Sequence, residues 1–432
     1  MARKSMTRLM LSSLALAVSA HAVGGTVTTD GPDLVIKTKG GLEVSTVDKE
    51  FSFKLNGRVM FDGGSFDGVM TKNGKRANET YLRRARLELS GTLYRDFKYD
   101  VVRNFGSSGS DDNWKDLSLS YTGFGPAVIK VGRFDPTFGL ENATSSKWTT
   151  AIERSMVYEI APWASSSMDG EGIRVSSTIG DMFFGEAGAY RQDNEDKNGK
   201  QHTSYVMRGV VAPILEENQV LHFGVDYGQR NVAAGTEDRM RTRLTVRGTS
   251  EDSKNGNRIE LGNAYLDGKD NTYALEAAYM YGPFSIQGEY HKRKAKGDRI
   301  RNGNDKDLKA TGYYAQVAYT LTGESRSYKL DGGKFDKIKP SDPRLGAWEV
   351  FYRYDHLKID QIARSNRMTL APDVDPNNVK PGAKVHTVGL NWYANEAVRL
   401  SMDYVHARTD EVQNQQGDKT GKAVTARMQY VF

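Results

Sequence analysis

From about Phe51 to Phe432 the chain repeats one pattern. Stretches of roughly ten residues carry apolar side chains at alternate positions, and clusters of Gly, Asn, Asp and Lys separate them. Leu87 and Leu89, Leu117 and Leu119, Val317 and Tyr319, and Val388 and Leu390 show the alternation. Period two means a β-strand with one apolar and one polar face. The template fits roughly 16 to 18 times along the chain. So many strands with no second kind of core favour an all-β fold, a single antiparallel barrel closed on itself. Closure leaves no unpaired edge in lipid.

Composition supports a membrane barrel. The 432 residues are only 38% hydrophobic, and the mean hydropathy is −0.60. A soluble chain this polar would bury little, yet its 22 tyrosines and regular apolar spacing argue against disorder. A barrel with a wet lumen removes the conflict, because each strand needs only alternate apolar residues. No stretch reaches the roughly 20 apolar residues of a spanning helix.

The N-terminus reads as a secretory signal: Arg3, Lys4 and Arg8, then the apolar run Leu9 to Val18, then Ala20-His21-Ala22. Cleavage after Ala22 is expected. Residues 23–50 then form an N-terminal segment on the periplasmic side, and residues 51–432 the barrel. The chain has no cysteine, which excludes disulfides, thiolate metal sites and cysteine nucleophiles. Removing the signal leaves 57 basic and 54 acidic residues, so any anion preference must come from where charges sit.

Connections come in two lengths. Tyr281-Gly282-Pro283 and Tyr393 to Glu396 are short, whereas Asn142 to Asp169, Arg191 to Gln201, Lys294 to Lys309 and Asp360 to Lys384 are long and polar. Short periplasmic turns and long outer loops are the barrel pattern. Tyr279, Tyr281, Phe284 and Tyr404 fit aromatic girdles at strand ends. The chain ends with Ala426, Met428, Tyr430 and Phe432 on one face. A terminal Phe on an amphipathic strand is similar to the assembly signal of outer-membrane barrels.

Catalytic patterns are missing: there is no H-E-x-x-H, G-x-S-x-G or Walker A motif. The histidines are scattered without ligand spacing, so no metal or other cofactor is expected. The basic run His291 to Lys296 could suggest nucleic acid. Behind a signal peptide and within a barrel, lipopolysaccharide or electrostatics at the pore mouth is the better reading.

In the second strand, Ala85, Leu87 and Leu89 form the apolar face, so Arg84, Arg86 and Glu88 point into the lumen. Arg83 is out of phase. An arginine facing mid-bilayer lipid costs roughly 2–4 kcal/mol, so a bulge or the strand end must re-aim it. Arg239, Arg241 and Arg243 are spaced by two and share a face if extended. A solvated surface neutralised by Glu237 and Asp238 is the plainer reading of that run.

The stretches YLRRARLEL (Tyr81–Leu89), KVGRF (Lys130–Phe134), FGLENATSSKWTTAIER (Phe138–Arg154), YKLDGGKFDKIKP (Tyr328–Pro340) and NWYANEAV (Asn391–Val398) resemble the phosphate-selective porin O and P family. The resemblance runs over nearly the whole chain after the signal. It implies a 16-stranded barrel, a homotrimer in the outer membrane, long loops partly folded into the lumen, and arginines and lysines that select anions. It places Arg83, Arg84, Arg154 and Ser145 at a central constriction and Arg239, Arg241, Arg243 and Arg247 in an extracellular ladder. Lys37, Lys39, Lys49 and Lys54 fall at periplasmic-side lysines. Guanidinium suits this task because it offers paired donors and keeps its charge. Release must stay easy, so binding cannot be too tight.

This sequence also departs from the family pattern. Arg86 replaces an aromatic residue, Lys115 an acidic one, Asn142 a lysine, and Asp135 the tyrosine of a phosphate-preferring member. A more positive constriction of this kind would favour larger or more charged anions such as pyrophosphate. The rival readings are a general diffusion porin, a barrel enzyme and a non-conducting adhesin.

Overall fold

The computed structural model describes residues 25–27, 33–38, 40–106, 114–166, 171–195, 201–247, 258–298, 306–362, 368–376 and 378–432. The expected signal peptide, residues 1–22, and Lys39 lie outside these.

Sixteen antiparallel strands form the barrel. They are β1 (Ser52–Gly68), β2 (Gly74–Leu93), β3 (Phe97–Asn104), β4 (Trp114–Phe124), β5 (Ala127–Arg133), β6 (Glu171–Ile179), β7 (Phe183–Glu195) and β8 (Gln201–Leu215). The second half comprises β9 (Gln219–Thr242), β10 (Ile259–Tyr281), β11 (Phe284–Gly297), β12 (Leu308–Thr320), β13 (Ala347–Gln361), β14 (Gly382–Tyr393), β15 (Val398–Asp410) and β16 (Thr420–Val431). Each strand pairs with the next, and β16 pairs with β1 from Ala423↔Phe66 to Val431↔Arg58, which closes the sheet. Leu42–Thr46, within the N-terminal segment, adds antiparallel to the start of β1.

The terminal phenylalanine completes the seam. Phe432 and Gly57 exchange backbone hydrogen bonds of 3.0 and 3.1 Å. A Cβ at Gly57 would fall well inside contact distance of the Phe432 ring, so only glycine leaves room for it.

Alternation sets the two faces. On β13, Val350, Tyr352 and Lys358 are exposed on the outer wall, while Glu349, Arg353 and Asp355 are buried on the inner one. Polar inward residues are buried because the lumen is filled. Residues 134–166, most of a long loop, fold inside the barrel. The wall satisfies this loop's irregular backbone. Asp226, Asp355 and Asp403 accept the N–H groups of Gly139, Met156 and Ile152. Arg399 and Arg427 donate to the carbonyls of Thr149, Thr150 and Ile152. Irregular backbone at membrane depth is tolerated only with such partners.

The connections at one end are short: 94–96, 125–126, 180–182, 216–218, 282–283 and 394–397. One breaks the expected rule. Residues 321–346 are long and fold up into the lumen as a hairpin of Arg326–Lys329 and Lys334–Ile338. Arg208 donates to the carbonyls of Gly332 and Gly333, both at 2.8 Å. Phe335 packs with Leu140 of the inward loop, and Arg326 donates to the Trp148 carbonyl at 2.7 Å. The lumen is therefore narrowed from both ends.

Candidate functional site

The bulge in β2 builds the site. Met60 of β1 pairs with Arg84, but Phe61 pairs with Leu82, so Arg83 is the extra residue. A bulge bends the strand and re-aims a side chain. It resolves the alternation conflict at Arg83, whose side chain reaches Glu153 of the inward loop at 2.8 and 3.1 Å.

Arg83 and Arg84 line a cavity of 360 Å³ between the inward loop and the start of the 243–258 loop. Arg154, Arg239, Arg241, Arg243, Arg247 and Arg258 line it too. Against these eight arginines stand two lining glutamates among the described residues, Glu153 and Glu159. The constriction and the extracellular ladder, expected as separate clusters, therefore share one cavity. The chain turns inward after β9 through Leu244 and Thr245, both with positive φ. Tyr81 anchors that turn by donating to the Arg247 carbonyl.

The arginines differ in their partners. Arg83 binds Glu153, which also receives Arg427 at 3.1 Å and Arg247 at 3.7 Å. Arg239 binds Glu260 at 2.7 Å. Arg154 is held by the carbonyls of Glu141 (3.0 Å), Thr144 (2.9 Å) and Asn142 (3.3 Å). Among the described residues Arg84 bonds only the Met60 sulfur, at 3.6 Å, and its buried Nε has no partner. Among the described residues, Arg84, Arg154 and Arg243 make no ion pair with a carboxylate.

Charge states follow from the neighbours. Burial pushes the Glu153 carboxyl up, but Arg83, Arg247 and Arg427 outweigh it and hold it well below the usual carboxylate range. Burial raises Glu159, which has weaker compensation. Burial and then Arg247 and Arg258 bring Arg243 to about 10, so it stays charged at neutral pH.

Other candidates lie elsewhere. Ser145 accepts the Lys147 N–H at 3.4 Å, and the serines that line the cavity are Ser146 and Ser155. Arg86 faces a separate group with Arg58, Glu88 and the exposed Asp135. There Arg58 donates to Ser146 at 2.9 Å and pairs with Glu88, which also binds Lys147 at 3.1 Å. Lys115 sits at a bulge where Val102 pairs with Asp116 and Arg103 with Trp114, outside the cavity. Lys37 pairs with Glu43 at 3.1 Å, Lys49 sits in a turn with φ 60°, and Lys54 lies near the start of β1. None of these three lysines lines the cavity. Sequence reasoning missed Glu153, Glu159 and Arg258. Arg427 was within reach, since it alternates with Ala426 and Met428.

A sixteen-stranded barrel with a lumen narrowed around clustered arginines defines an outer-membrane porin. The chain belongs to the phosphate-selective porin O and P family, whose model matches residues 53–432. It is 48% identical to Porin O of Pseudomonas aeruginosa, over the whole of both chains. Among solved structures it is similar in fold to the anion-selective porin of Comamonas acidovorans (TM-score 0.53, 14% identity, 89% of this chain and 100% of that one). It is also similar to OmpT of Vibrio cholerae (TM-score 0.54, 9% identity, 89% and 98%).

Proposed function

We propose that this cavity is the filter through which phosphate or pyrophosphate diffuses passively across the outer membrane. The carrying observation is that Arg84, Arg154 and Arg243 face one cavity with no carboxylate paired to them among the described residues. An oxyanion entering there exchanges its water for charge-assisted guanidinium bonds. Glu153 competes for Arg83 and Arg247, which keeps the site from holding its anion too tightly. Arg86, which lies close to Arg58, adds positive charge beside this path. That added cation supports pyrophosphate over phosphate, whereas the departures at Asn142 and Asp135 each lower the local charge by one and run the other way.

The other parts of the reading are a cleaved signal at residues 1–22, no catalytic activity, and outer-membrane lipid and lipopolysaccharide as neighbours. The protomers form a homotrimer. The short strands β3, β5 and β6 support this: β5 has seven residues, about 23 Å even untilted, against an apolar band of about 25 Å. A neighbouring copy against this low wall would cover it.

Single-channel conductance in planar bilayers in chloride, with phosphate and then pyrophosphate titrated in, tests the filter. Saturable block is expected, stronger with pyrophosphate. Ohmic current without block would mean a general diffusion porin.

A further inference from the structure

The outer wall carries charges that the pore does not use. On β11 to β16 the apolar band includes Val317, Val388 and Met402, all exposed outward. Toward the long-loop end a belt of rings follows. Tyr313 stacks on His356 at 5.1 Å, and Tyr352 and His386 share a hydrogen bond of 2.7 Å. Beyond the rings the outward side chains turn basic.

The basic residues stand side by side. Lys294 pairs in register with Lys309, Lys384 with Arg408, and His406 with Lys422. Like charges directly opposite on one face are destabilising. Lys384 is relieved by Asp410 at 3.2 Å. Among the described residues the side chains of Lys294, Lys309 and Lys422 make no ion pair, although the Lys422 backbone N–H donates to the Asp67 carboxylate at 2.7 Å, and all three are exposed. Folding gives no reason for this arrangement, and the pore lies on the other side of the wall.

We propose that this belt is a binding site for phosphate-bearing glycolipid, the lipid A part of lipopolysaccharide, in the outer leaflet. The belt lies just beyond the apolar band and its ring girdle, which is the headgroup level of a bilayer. A phosphate seated between Lys294 and Lys309 removes their cross-strand repulsion, and another pairs with Lys422. Acyl chains of the same molecule then lie along the apolar band. The site is independent of the filter inside the barrel.

The test uses the full-length protein in detergent, with binding read by native mass spectrometry. The probes are lipid A, dephosphorylated lipid A and free pyrophosphate. The variant is the triple Lys294→Gln, Lys309→Gln, Lys422→Gln. Each basic residue at an anionic lipid surface is worth about fivefold in affinity, so the triple variant should bind lipid A roughly 100-fold more weakly. Its chloride conductance and oxyanion block should match the parent protein. Equal lipid A binding by parent and variant, or equal binding of the dephosphorylated lipid, would overturn the site. Competition by free pyrophosphate that disappears in the triple variant would mean that the belt takes any phosphate, which also overturns a lipid site. Loss of block in the parent would count against the filter alone.

Discussion

Truncating Arg84 to alanine separates anion binding from folding. The guanidinium lines the cavity, touches only the Met60 sulfur and leaves its buried Nε unpaired. A hydrogen bond to a charged group contributes about 1.5–3 kcal/mol, which corresponds to roughly 10- to 150-fold in affinity. Water in the pore screens part of this, so the lower half of the range applies. Loss of the buried, unpaired Nε costs the fold nothing, so resistance to heat in detergent should not fall. Arg83→Ala is the contrast, because it strips Glu153 of a two-point partner at 2.8 and 3.1 Å and should weaken both binding and stability. The assay is the phosphate concentration that halves the chloride current of a single channel. A value for Arg84→Ala within about twofold of the parent, with normal open conductance, would falsify the assignment of Arg84 as an anion ligand.

Further outcomes follow from the same geometry. Glu153→Gln removes the carboxylate that three arginines share. At an assumed ~6 Å from the anion that charge is worth about 1–3 kcal/mol, so the half-blocking concentration should fall roughly 5- to 150-fold; a rise would contradict the competitor role. Burial holds Glu159 above the ordinary carboxyl value, so its neutral form gains as the pH falls toward that value and the cavity becomes more positive. Sulfate does not titrate there, and its block should strengthen on acidification in the parent but not in Glu159→Gln; parallel profiles would exclude Glu159. Gly57→Val drives a branched side chain into the Phe432 ring, so the yield of barrel that runs compact on an unheated gel should drop. Unchanged yield would show that the seam tolerates a displaced terminus.

Period two made the barrel legible, together with the inward set Arg84, Arg86 and Glu88. The out-of-phase Arg83 even announced its own bulge. Alternation was silent on what fills the lumen. Arg353 and Asp355 look the same in sequence whether they face water or the backbone of an inward loop, and here they hold that backbone. The cavity escaped for a related reason. Arg239 and Arg241 end a strand, but what joins them to Arg84 and Arg154 is the inward turn at Leu244 and Thr245, which no periodicity encodes. Tyr328 to Pro340, within residues 321–346, match the family, yet the inward path of this connection runs against the short-turn rule. That path depends on distant partners such as Arg208 and His222.

The bulge at Arg83 also has a genetic meaning. In a regular strand, losing one codon turns every later side chain to the wrong face and ruins the barrel. In β2 the extra residue already absorbs that step, since pairing is regular on both sides of it. Deleting codon 83 alone would restore a plain ladder, keep Tyr81 and Arg84 facing the lumen, and remove one cation from the cavity. A three-base deletion is thus a short mutational path from a selective pore to a weaker one: the strand ladder survives, at the stability cost of losing the Arg83 to Glu153 pair.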